Sequence, residues 1–180
     1  MIYGCLATKF CHKILEEFWM KIKSWTFCKE VCWDQLQALG VPRTYYELEC
    51  WILANALDPL VLKKIKPIRI DHDTLTLWRA YFITVINEWS FYEGARQIAD
   101  SLSMRCFVRA YMLNEPTPSD GSLRAFYEKN KYTLDDVMPF IAALWGSTKG
   151  KNASLSWVKL MDEWAQKTLS LRLQQPDSLS

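Results

Sequence analysis

Apolar residues recur every three or four positions along almost the whole chain, a spacing that admits few folds other than a helical one. Phe10, Ile14, Phe18, Ile22 and Trp25 share one face of a helix. Phe27, Val31, Leu36 and Leu39 continue the pattern until Gly40 and Pro42 break it. Thr44 with Glu47 forms a capping box that predicts a helix to about Leu57, ending before Asp58-Pro59. Leu60 to Lys66 reads as a short basic turn of helix. Asp71 or Asp73 is placed to cap an apolar helix carrying Leu75, Trp78, Phe82, Val85 and Trp89.

Further along, Ser90 with Glu93 opens a helix to about Leu102, and Ser103 to Leu113 follows after a tight turn. Asn114 to Gly121, with two prolines and a glycine, is a loop. Ser122 to Asn130 predicts a short helix, and Thr133 with Asp136 opens another through Trp145, with Pro139 inside it. No stretch alternates apolar and polar residues as a half-buried strand would. The expected fold is all-α, an irregular bundle of about eight to ten helices. Residues 1–145 form the helical domain, 146–153 a linker, 154–173 a C-terminal helix and 174–180 a disordered tail.

A chain of 180 residues, half of them hydrophobic and nine of them tryptophan, can bury a core without disulfide or metal. Trp19, Trp51, Trp78, Trp89, Trp145 and Trp164 fall at or beside apolar helical positions, where large rings fill a core, and a few could instead line a partner-binding groove. A net charge of +2 is too balanced for a surface given over wholly to nucleic acid, so such a site would be a local patch. The opening residues lack the pattern of a secretory signal. The six cysteines are therefore expected to be reduced and the protein cytoplasmic. The longest apolar run, Ala80 to Ile86, is too short to predict a membrane span.

Catalytic patterns are missing. There is no nucleophile elbow, phosphate-binding glycine loop or dinucleotide fingerprint, and two histidines leave few bases for a triad. Asp71-His72-Asp73 reads as helix capping, because neighbouring side chains on a helix diverge. Cys28 and Cys32, four apart, could share a helix face and reach one zinc, but their setting departs from zinc signatures and they pack equally well as small apolar groups. The expectation is no enzyme, no cofactor and no metal. Basic residues suggest more: Arg96, Arg105, Arg109, Arg124 and Lys129 fall in one window. Ile98, Ala99, Leu102, Phe107 and Val108 could form the small core of a helix-turn-helix within 90–113, whose second helix would present Arg105 and Arg109 to DNA.

That window also resembles a known family. The run from Glu88 to Phe107 (EWSFYEGARQIADSLSMRCF) is similar to the N-terminal helical domain of DDE transposases from bacterial insertion sequences. There, a short loop leads into a Pro-Asp-His-Ser-Thr-Leu-x-x-Phe-Arg phrase. Pro118 to Tyr127 aligns with it without a gap: Pro118, Leu123 and Phe126 match and Ser122 stands for the threonine. Ser119-Asp120 replaces the Asp-His pair, and Tyr127 the arginine. The likeness covers residues 75–130. It implies a DNA-end-binding or assembly module that in full transposases precedes a β-sheet catalytic domain, for which this chain shows no strands. DNA is the expected partner. The competing expectation is a helical protein-interaction module, an adaptor or inhibitor, or one that self-associates, with exposed aromatic side chains and scattered basic ones.

Overall fold

The computed structural model describes residue 38 and residues 44–68, 72–110, 116–148 and 155–174. These residues form helices and connecting turns: α1 (Thr44–Ala54), α2 (Leu57–Leu62), α3 (Thr74–Ile86), α4 (Phe91–Asp100), α5 (Leu102–Val108), α6 (Asp120–Thr148) and α7 (Leu155–Gln174). The described part is thus all-helical, with seven helices where eight to ten were expected of the whole chain.

The difference in the described part lies chiefly in α6, which runs for 29 residues through both of the helices expected there. Nothing between Asn130 and Thr133 breaks a helix, so the capping signal at Thr133 is overridden by a continuous buried face: Leu123, Phe126, Asn130, Leu134, Val137, Ile141 and Trp145. Pro139 lies within it and removes the N–H that would meet the carbonyl of Asp135. The loop before α6 ends earlier than expected. Ser119 accepts the N–H of Ser122 on its hydroxyl at 3.1 Å and so starts the helix at Asp120.

Most other boundaries follow their caps. Asp73 accepts the N–H of Thr76 at 2.6 Å, and Ser90 accepts that of Glu93 at 3.2 Å. Ser101 alone separates α4 from α5 and caps α5 through the N–H of Met104. The first helix stops at Ala54, short of Leu57, because Ala56 turns left-handed (φ 50°) and Asn55 returns its amide to the carbonyl of Trp51. Asp58 and Pro59 then fall in the first turn of α2, where a proline loses no helical bond.

At the centre is α3, with ten of its thirteen residues buried, packed against α2, α4, α5, α6 and α7. Its Phe82 meets Trp164 of α7 edge-on at 5.9 Å. Gly94 lets α4 approach closely, since a Cβ there would fall inside the van der Waals shell of the Thr84 side chain. The helices α6 and α7 pack on one another, and the Trp145 indole donates across the pair to Asp162 at 2.9 Å. Trp51, Trp78, Trp145 and Trp164 are buried and Trp89 is half-buried, as core filling requires, whereas Trp19 lies outside the described residues.

One charge sits in the middle of this apolar packing. Arg79 is 0% exposed. Its Nη2 and Nε donate to Asp58 Oδ2 at 2.7 and 3.1 Å, and its Nη1 donates to Glu49 at 2.9 Å and to the Phe107 carbonyl at 2.8 Å. The guanidinium lies 5.4 Å from the centre of the Phe107 ring. Trp78 donates its indole N–H to the other oxygen of Asp58 at 3.1 Å. Burial alone would lower the pKa of Arg79, but Asp58 and Glu49 outweigh it and hold the group above its usual value. One side chain therefore links α1, α2, α3 and α5.

Removing one partner of such a group leaves charge stranded in low dielectric. Asp58→Ala is expected to cost about 3–5 kcal/mol in urea unfolding, with Asp58→Asn costing less because it can still accept from Trp78. A loss below about 1 kcal/mol for Asp58→Ala would show that the cluster does not organise the bundle. Burial also pushes Tyr45 up to about 12, against a hydrogen bond with Asn87 that lowers it. Burial raises Tyr81 as well, with the charges of Tyr127 and Asp135 adding to it. A phenol that ionises less readily when folded contributes stability that is whole below about pH 10 and is lost as pH climbs through the folded value. Urea midpoints should hold to about pH 10 and fall towards pH 12, less steeply in Tyr81→Phe. A level midpoint across that window would contradict the assignment.

Candidate nucleic-acid interface

The five basic residues singled out in the sequence do not form one platform. Arg105 is only 7% exposed, and every residue of α5 from Ser103 to Val108 is buried. That corrects the helix-turn-helix expectation: α5 is an internal strut held by the bond from Arg79 to Phe107, and its face is not open to a DNA groove. Arg109 does not share a helix face with Arg105. It is the C-cap of α5, left-handed at φ 70°, with its backbone N–H on the carbonyls of Arg105 and Cys106. Four-residue spacing implies a common face only where the helix continues.

Arg96 is exposed on α4 and donates to Glu93 at 3.2 Å, one turn back. Hydrogen bonds from Gln97 and then Arg96 hold the Glu93 carboxyl below its usual range. Glu93 is therefore engaged forward along the helix, and the capping box at Ser90 is completed from one side only. Arg124 and Lys129 are both exposed on α6, but five residues apart they point about 140° from one another around the axis.

Lys129 leads to a basic surface that sequence reading missed. Its Nζ donates to the Pro67 carbonyl at 2.8 Å. Next to it, Asn130 (2% exposed) accepts the Lys66 N–H at 2.6 Å and donates to the carbonyls of Lys66 and Phe126 at 3.3 and 3.1 Å. The two side chains clamp the segment after α2 against α6. Lys63, Lys64 and Lys66 all lie exposed on that segment. No ion pair among the described residues involves these three lysines or Lys129. The signal in sequence was the basic turn ending at Pro67, but the partner 62 residues away could not be read from it.

Asp73 caps α3, as expected, and Asp71 lies outside the described residues. Cys28 and Cys32 lie outside them too. Cys50 is exposed and Cys106 buried. Among the described residues no three His, Cys, Asp or Glu side chains are grouped to hold a metal, and no helix is long and apolar enough to cross a membrane. No protein family, curated protein or solved structure matches the chain.

The burial of Arg105 makes it a packing residue, so Arg105→Ala is expected to lower stability by about 1–3 kcal/mol through lost packing. Thermal unfolding checks this. An unchanged midpoint would return Arg105 to the surface.

Proposed function

We propose that the chain is a non-catalytic helical module of the transposase N-terminal type, which binds DNA and serves end recognition or assembly. One observation carries this reading: although Leu102 is left 46% exposed, several of the apolar positions on which the resemblance rests are also positions that build the fold. Ile98, Phe107, Leu123 and Phe126 are 0% exposed, Pro118 is buried, and Ser90 caps α4. A likeness confined to surface residues would carry no fold with it. This one falls on the packing of α4, α5 and the start of α6.

On that scaffold Arg96, Arg124 and Lys129 are the members of the expected set that stay in solvent, and the two arginines lie on helices that pack directly on one another through Phe91 and Tyr127 at 5.8 Å. Arg105 leaves the set, and Arg109 is half-buried. Contacts of this kind hold phosphates and position a duplex without reading its bases.

A protein-interaction module is the second reading. It is favoured by large side chains left in solvent, above all Tyr132 (88% exposed) and Phe140 on α6 and Tyr92 (68%) on α4. Titrating a labelled duplex against salt separates the two. On the DNA reading, affinity falls steeply with salt, and Arg96→Ala with Arg124→Ala lowers the slope of log K against log salt by about 2. A slope unchanged in the double variant would remove these arginines from the interface. A duplex that does not bind at all would leave the protein-interaction reading in possession.

A further inference from the structure

We infer that Lys63, Lys64, Lys66 and Lys129 form a second phosphate-binding surface, one that takes the phosphodiester backbone of duplex nucleic acid without regard to sequence. The inference deepens the DNA reading above, but it stands on different residues and a different face of α6.

Three lysines within four residues on a loose turn would present charges that wander independently. Here the backbone beneath them is fixed. Asn130, itself buried, satisfies both the N–H and the carbonyl of Lys66, and Lys129 bonds the carbonyl of the next residue. Two of the three clamp bonds to this segment come from a side chain in the core. The charges above it are therefore held on a firm base where the segment after α2 meets α6.

Charge and chemistry then narrow the ligand. Asp58, the acidic residue of α2, is turned inward and taken up by Arg79 and Trp78, so it does not neutralise the lysines outside. Lys63 follows the last turn of α2, where a cation is favoured by the helix dipole, so the segment tolerates its own charge. Ammonium groups are compact point charges without the planar fork by which arginine reads a guanine edge. Four of them match a regularly charged chain and carry no base code. Their counterpart is a backbone, not a sequence.

The test is fluorescence anisotropy of the full chain with two labelled duplexes of unrelated sequence, as salt rises from about 50 to about 200 mM. Both duplexes should bind alike. Lys63→Ala with Lys64→Ala should weaken both equally and lower the salt slope by about 2, because each phosphate contact contributes about 0.9. Lys159→Ala, an exposed lysine on α7, should leave the slope where it was. Both lysines of the double variant are exposed, and circular dichroism should show an unchanged fold. A slope untouched by the lysine pair overturns the inference, while the arginine pair still decides the reading above. Loss of binding to one duplex only also overturns it. So does displacement by polyglutamate at the same charge concentration, which would assign the surface to an acidic protein.

Discussion

The buried guanidinium of Arg79 is the interaction on which the rest of the molecule depends. It draws a carboxylate from α1, another from α2 and a backbone carbonyl from α5 to one point on α3. An uncompensated charge at that depth would cost far more than any single apolar contact returns. Every helix that touches it is therefore constrained in depth and rotation. Apolar packing alone tolerates sliding. A guanidinium with fixed donors does not.

The fate of α5 follows. Once the Phe107 carbonyl must face Arg79, the seven-residue helix is drawn inside, and Arg105 goes with it. The chain leaves α5 through a left-handed residue, Arg109, which points the backbone out of helical register. A pair that looked on paper like the reading head of a DNA-binding motif is in fact one packing residue and one cap. Basic surface must be sought where the fold leaves it, on α4, on α6 and on the segment clamped after α2.

Local signals in the sequence were legible where nothing tertiary competed with them. Asp73 and Ser90 cap the helices they were expected to cap, α7 falls within a residue of its expected span, and four of the five expected core tryptophans that the structure describes are buried, the fifth half-buried. Failures occurred where a distant partner decided the outcome. Thr133 resembles a helix start, yet a continuous core face carries α6 through it. Arg79 offered one hint, a lone cation inside an apolar run, but its partners lie 21 and 30 residues away. The lysine surface was hidden for the same reason, since Asn130 and Lys129 reach across more than sixty residues to make it.

Hydrogen–deuterium exchange with and without a short duplex reports on the buried α5 and on the outer basic surfaces at once. Exchange should slow around residues 63–67 and 124–131 when duplex is present, with no change across 103–108. Protection that appears instead on Ser103 to Val108 would mean that α5 opens to meet the nucleic acid, and would contradict the internal role assigned to it here.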